Sequence, residues 1–471
     1  MEPAYAPPPK RRRRTPLRVA LALLLVVLAG VSWLTYEWHR ALRERLEAEA
    51  EADRLDPGWR LADLEAARAT VPDNENSALQ VRSAFKLLPA KWGQISPNGT
   101  DLAGEVGLLP PNVRLSNDQR ERARSALANT AAAFEKARQL AELPRGRYRI
   151  AWSADGIGTP IPHIDEARAI ASLLSMDVAA RADEGAIDDA LEVCRALVNV
   201  GRSLGDEPTA ISQLTRTFCG GAAVRALERA LGQGEAREAA LRKVQSLLAD
   251  EAIQPLQLVG ARAGRAAIDQ CLRVIEAGEF NYAAYGMRTP DPGPAGLYER
   301  LQRLRARGCH AAYLRYLNEC VEIAKLPPEQ QAERLGRVEQ MCPKKVPTIL
   351  EVMTRGGDYG ELALRFHRDL ARVRCAISSV AAERYRLENG RWPECLEDLV
   401  PHYLVVVPAD PCDGQPLRYL RTEQGVVIHT LDFGEKDRRA DERDEKFRLF
   451  DPEQRGRASP AKDAENPGTA R

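Results

Sequence analysis

The feature that most constrains this chain lies at its start, where Lys10-Arg11-Arg12-Arg13-Arg14 runs into an almost unbroken apolar segment from Val19 to Leu34. A hydrocarbon layer about 30 Å thick takes roughly 20 helical residues to cross. Residues 17–36 supply that length if Arg18 snorkels back to the headgroups and Trp33, Tyr36 and Trp38 sit at the far interface. The pattern predicts a transmembrane helix over 17–36, so the rest of the chain folds beside a membrane. Six positive charges and one Glu occupy the first 18 residues, and an excess of Lys and Arg marks the cytoplasmic flank. The expected topology is single-pass, N-terminus cytoplasmic and C-terminal bulk extracytoplasmic. A cleaved secretory signal shares the basic start and apolar run. Leu28-Ala29-Gly30 is a poor cleavage site and no lipoprotein Cys follows it, which favours an uncleaved anchor.

The remaining organisation follows from composition and periodicity. Residues 1–16 are Pro-rich and basic, unable to bury a core, and are expected to be a disordered cytoplasmic tail. Residues 37–57 interleave Arg40, Arg43 and Arg45 with Glu37, Glu44 and Glu47, as in a solvated helical stalk, and stop at Asp56-Pro57-Gly58. With 471 residues the chain has room for two or three domains. An extracytoplasmic α-helical domain is expected over 58–355, an α+β module over 360–452 and a disordered tail over 453–471. The fold class is therefore mainly α, with an N-terminal transmembrane helix, a helical-hairpin domain and a small α+β C-terminal module. Asp73-Asn74-Glu75-Asn76 precedes an apolar stripe and suits helix capping, because short polar side chains accept from orphan amides.

The strongest periodicity is central. From Asp165 to Asp183, Ile170, Leu173, Leu174 and Val178 share one helical face, and after Glu184-Gly185 the stretch from Ile187 to Leu204 repeats the pattern with Leu191, Cys194, Leu197 and Val198. This predicts an antiparallel hairpin. The same spacing continues through Val224, Leu227 and Leu231 to Leu241, Val244 and Leu248. The segment AARADEGAIDDALEVCRALVNVG resembles a tetratricopeptide-type hairpin, although the period of about 34 residues that marks such solenoids is not repeated around it.

Downstream, Phe366, Leu370, Val373, Ile377 and Val380 define one long helix over Leu362 to Leu387, ended by Asn389-Gly390. Trp392-Pro393, the Pro408-Ala409-Asp410-Pro411 turn and two strand-like runs, Leu417 to Arg421 and Gly425 to Leu431, follow. The segment ERYRLENGRWPECLEDLVPHYLVVVPADPCDGQPLRY resembles the C-terminal globular part of the major pseudopilin of type II secretion. Tyr385, Asn389, Gly390, Trp392, Pro393, Leu399, Pro408, Asp410, Pro411, Gly414 and Tyr419 carry the resemblance, which covers about 70 of the 471 residues. The overall arrangement is also similar to a group of bacterial single-pass membrane proteins. The resemblance implies a long helix leading into a small sheet, and calcium in the last loop. Two departures oppose the full analogy. KRRRRTPLRVAL has no prepilin peptidase site, and Lys436, Arg438 and Arg439 lie among Asp432, Asp437 and Asp441 where a glycine-rich calcium loop would be. Asp410 and Asp413 suit turn positions, and no metal site is expected.

The chemistry that composition excludes is equally informative. Lys and Arg total 68 against 67 Asp and Glu, so nothing outside the N-terminal cluster favours nucleic acid, and that cluster suits anionic lipid. The arginines at 300, 303, 305, 307 and 315 suit a solvated helix face. Nine scattered cysteines form no zinc spacing and suit small buried residues. His163, His310, His367, His402 and His429 have no carboxylate or Cys partner at motif spacing, and no hydrolase, nucleotide-binding or dinucleotide-binding motif occurs in a supporting context. No catalytic or cofactor-binding residue can be named and no cofactor is implied. The function expected is that of a membrane-anchored extracytoplasmic scaffold meeting membrane lipid through its anchor and protein partners through its helices. An accessory component of a secretion or pilus-like machinery is the alternative, and a hydrolase without a recognisable motif the second alternative.

Overall fold

The computed structural model describes residues 15–90, 92, 102–287, 295–354, 359–431 and 445–459. Its helices are α1 (Thr15–Leu55), α2 (Leu61–Ala66), α3 (Ser77–Phe85), α4 (Leu102–Leu108), α5 (Asn117–Ala128) and α6 (Ala131–Arg138). The central series is α7 (His163–Asp183), α8 (Ile187–Arg202), α9 (Ala210–Gln233), α10 (Glu238–Ala252) and α11 (Leu256–Ala277), followed by α12 (Ala295–Ala324), α13 (Ala332–Val338), α14 (Thr348–Thr354) and α15 (Tyr359–Asn389). The small sheet is antiparallel in the order β1 (Arg418–Thr422), β2 (Gly425–His429), β3 (Lys446–Phe450). The mainly α class with an apolar N-terminal helix and a small α+β terminus is what the sequence predicts.

The predicted hairpin is α7–α8. Gly185, at φ +79°, supplies the left-handed residue that reverses the chain. Leu173, Leu191, Leu197, Leu227 and Leu248 are all buried, so the helical phase read from the sequence is correct. Gly201 on α8 meets α9 so closely that a Cβ there would lie 3.0 Å from the Arg216 carbonyl oxygen. Asn76 caps α3 by accepting from the Ala78 amide at 3.0 Å, as its position before the stripe suggests.

Two boundaries fall elsewhere than expected. The C-terminal module does not stand apart: Val373, Cys375, Ile377 and Val380 of α15 and Val426, Ile428, Phe447 and Leu449 of the sheet share one core with α7 to α10. The reason is the width of the apolar stripe on α15, which faces both the sheet and α10. The segment 453–459 is tied down rather than tail-like. Arg455 forms a buried ion pair with Glu383 at 2.8 Å, and the Arg457 carbonyl accepts from Arg114 N at 2.8 Å. The third strand, β3, was not foreseen, because residues 432–444 separate it from the hairpin it joins. Gly425 permits that pairing: a Cβ there would sit 2.1 Å from Leu449 O.

The stalk is also not free in solvent. Ala48 and Ala52 of α1 are fully buried against Ala311 and Leu314 of α12, with Trp59 beside them. The two helices are parallel, since Trp38 meets Arg307, Glu47 and Glu51 meet Arg315, and the Leu55 carbonyl meets Lys325 at a nearly constant sequence offset. Arginines 307 and 315 thus fasten the domain to α1 instead of forming a solvated face. Arg307 lies 3.3 Å from the Trp38 ring centroid. Toward its N-terminus, α1 presents exposed Val19, Leu21, Leu24, Val27 and Leu28, a stretch long and apolar enough to cross a membrane.

Candidate functional site

A wide cleft, about 1320 Å³, is walled by α8, α9, α10 and the loop around residues 141–146. Helical spacing builds its walls. Arg195, Asn199 and Arg202 stand at i, i+4 and i+7 on α8, Gln213 and Arg216 at i, i+3 on α9, and Ala239, Arg242, Lys243, Ser246 and Asp250 along one face of α10. The opposite, apolar faces of α8 and α10 lie in the core, which rotates these polar stripes outward together.

The floor is a buried ion triad. Arg202 donates to Glu251 at 2.7 Å and Arg216 donates to it at 2.6 and 2.7 Å. Burial alone would raise the Glu251 carboxyl, but the two guanidinium groups win and hold it below the usual carboxylate range. Beneath one end, His163 contacts Glu207 at 2.9 Å, Ser212 donates to the same carboxylate at 2.5 Å, and Tyr148 stacks on the imidazole at 4.2 Å. Ser212 gives its hydrogen bond to the acid and not to the histidine, and Ser212 and Glu207 are fully buried and His163 nearly so. This set therefore supports the turn at Gly205–Glu207 and is not arranged as a nucleophile and base.

Three polar atoms facing this region lack hydrogen-bond partners among the described residues: Asn199 Oδ1, Gln213 Oε1 and Arg195 Nη1. The carboxamide orientations are set by their nitrogens. Asn199 Nδ2 donates to Leu140 O at 2.7 Å, and Gln213 Nε2 donates to Glu207 O at 2.8 Å. Both amides are buried, at 1% and 0% exposure, so each carbonyl oxygen carries an unmet acceptor. The cleft wall thus holds two buried acceptors and a guanidinium donor with unmet hydrogen-bonding capacity over a floor of fixed charge. Glu142, Glu238 and Asp250 are mixed with Arg195, Arg242 and Lys243 around it.

Behind the Glu251–Leu256 turn lies a second cavity of about 220 Å³ lined by Thr217, His367 and Asp369. Burial pushes the Asp369 carboxyl up to about 7, and burial with nearby Arg374 pulls the His367 imidazole down to about 4. Gln331 meets His367 Nε2 at 3.1 Å.

Other residues singled out in the sequence find structural partners. His310 lies between Asp269 at 2.9 Å and Glu276 at 2.8 Å, a clamp invisible to motif spacing because its carboxylates are 41 and 34 residues away. His402 lies on a surface turn, and the His429 imidazole meets the Thr430 carbonyl at 3.0 Å. None of the nine cysteines is disulfide-bonded, and Cys194, Cys219, Cys271, Cys309, Cys320 and Cys375 are buried. Asp410 is fully buried, accepting from Cys412 N and Leu431 N at 2.8 Å and from Arg418, while Asp413 accepts from Gln415 N and Arg418. Asp432, Asp437 and Asp441, like Asn98 of the Asn98-Gly99-Thr100 sequon, fall outside the described residues. Among the described residues no group of three or more potential metal ligands occurs. Polar residues at i, i+4 and i+7 opposite the apolar stripe of α8 were the available signal for the cleft. The inward rotation of α10 that completes it has no local signature. Comparison with family models, with curated proteins and with solved structures finds no match.

Proposed function

We propose that this chain is a membrane-anchored extracytoplasmic scaffold that holds an extended segment of a protein partner in the α8–α9–α10 cleft. The observation that carries the proposal is the open cleft itself, whose wall residues Asn199, Gln213 and Arg195 each keep one unmet hydrogen-bonding atom, two acceptors and one donor. A polypeptide backbone presents N–H and C=O groups in alternation and complements such a set. At about 1320 Å³ the cleft also exceeds the usual 300–1,000 Å³ of a small-molecule pocket. Mixed charge along the walls suits selection of a partner by side chains of both signs. The basic residues preceding α1 support an extracytoplasmic placement, and the packing of α12 along α1 would hold the cleft at a set height above the bilayer.

A photo-crosslinking residue replacing Ser246 in the full chain, expressed in its own host, tests this. The expected result is a discrete light-dependent adduct, abolished by Asn199→Leu and absent when the probe replaces exposed Glu397. Equal adducts from both positions, or none at 246, would remove the cleft as a partner site. Recovery of secretion components in that adduct would favour the accessory-component alternative suggested by the pseudopilin-like segment. Topology is tested with a membrane-impermeant maleimide on Cys395, the exposed cysteine. Labelling of right-side-out vesicles is expected, and labelling only after lysis would reverse the orientation.

A further inference from the structure

A separate cavity of about 380 Å³ lies between α4, the 109–115 loop, α7 and α9. Its walls are mostly apolar, including Leu102, Val106, Leu115, Met176 and half-exposed Phe218. Phe218, Ala222, Arg225 and Arg229 follow one another at i, i+4, i+7 and i+11, so α9 turns one stripe of two apolar and two cationic residues into it. Arg229 is 6% exposed, and its Nε and Nη1 have no hydrogen-bond partner among the described residues, while Nη2 donates to Val113 O at 3.0 Å. A guanidinium buried in this way is costly unless a charge or acceptor meets it.

Apart from Asp369 in the core, the neighbouring acids are already engaged. Asp183 accepts from Leu115 N at 2.8 Å and from Arg120 at 2.7 Å, Glu228 is held by Arg448 at 2.8 Å, and Glu445 by Arg372 at 2.8 Å. Burial lowers Arg229 to about 10, with Asp183 opposing, so it remains charged at neutral pH. The pocket therefore combines an apolar chamber with surplus positive charge on one wall.

We propose that this pocket binds a small single-chain amphipathic anion, its carboxylate or phosphate headgroup on Arg229 and Arg225 and its apolar body against Phe218, Met176 and Val106. Guanidinium groups donate charge-assisted hydrogen bonds to such headgroups, and Arg229 keeps unmet donors at Nε and Nη1. The volume lies within the range of ordinary ligand pockets. The site is on the far face of α9 from Gln213 and Arg216, so it is independent of the cleft.

The test uses the full chain in nanodiscs of zwitterionic lipid, titrated with octanoate and, separately, with octanol. Octanoate should raise the unfolding midpoint in a saturable manner and octanol should not, because a ligand that binds only the native state stabilises it. Arg229→Met should weaken octanoate binding at least tenfold without lowering the unliganded midpoint, and Ala222→Phe should block binding by filling the chamber. Should either variant unfold, Arg225→Gln, on an exposed residue, must still weaken octanoate several-fold. Nanodiscs doped with lysophosphatidic acid distinguish the source: a shift there without one from octanoate assigns the anion to a lipid. Equal shifts from octanoate and octanol, no shift from either anion, or octanoate binding unchanged in folded Arg229→Met would overturn the site.

Discussion

The α1–α12 junction and the core between α7 and α10 both bury helices against helices, but from different materials. In the core, leucines, valines and alanines form the contact, with buried ion groups such as Arg202–Glu251–Arg216 beside it. At the junction a small alanine seam is flanked by charge: Asp56 is clamped by Arg262 at 2.5 Å and by Arg265, Arg45 meets Glu276 at 2.5 Å, Arg273 meets Glu49 at 2.8 Å, and His310 sits between two carboxylates. Apolar contact is non-directional and indifferent to pH, whereas buried ion pairs exist only in one register and one protonation state. The domain's integrity and its attachment to α1 therefore respond to different conditions.

The largest expected effect lies at the junction. Asp56→Ala leaves Arg265, itself fully buried, without its carboxylate, and breaking such a pair typically costs about 3–5 kcal/mol. Limited proteolysis should then cut near Leu55 while the α7–α10 core stays protected; uniform loss of protection would erase the distinction drawn above. In the core, Leu197→Ala should cost about 2–5 kcal/mol by opening a cavity, against a negligible change for exposed Glu192→Ala. Thermal melts at low and high salt should show the Leu197→Ala loss to be independent of ionic strength.

Asp369 is the exception that sharpens the contrast, a carboxyl in the core whose nearest cation, Arg372, is 3.9 Å away. Burial pushes its folded pKa up to about 7 from the ordinary 3.8, so the native state holds the proton more tightly and the group disfavours folding increasingly as pH rises from about 4 to about 7. Asp369→Asn should therefore stabilise the chain by about 1–4 kcal/mol at pH 8 and by little at pH 4. A gain that does not grow with pH would show that the carboxyl is ionised normally.

At the junction the sign is opposite. Burial opposes the charge on His310, but the hydrogen bonds it donates to Asp269 and Glu276 outweigh it and hold the imidazole above its ordinary 6.5. Its stabilisation is full below about 6.5 and is lost as pH rises through the folded value. His310→Gln should consequently matter most in mildly acidic buffer and progressively less in alkaline buffer, read as hydrogen exchange of α12. A pH-independent difference would make the clamp merely steric. Calcium should do least: with Asp410 and Asp413 occupied by Arg418 and backbone amides, titrating it into the full chain should leave the melting midpoint unchanged.

Periodicity alone determined the helices, their buried faces and the long apolar N-terminal helix, because i, i+3 and i+4 spacing reports which side of a helix meets the core whatever the partner. The α7–α8 hairpin and the long α15 helix, ending at Gly390 with φ +68°, were legible for this reason. Neither β3 nor the shared core of α15 with α8 to α10 was legible, since both depend on residues brought together across long loops. The same holds for function. Arg195, Asn199, Gln213 and Arg229 carry no signature of a site in the sequence. Only tertiary packing decided that they are buried with unmet hydrogen-bonding atoms, because burial of a polar atom is set by what covers it and not by its own neighbours in the chain.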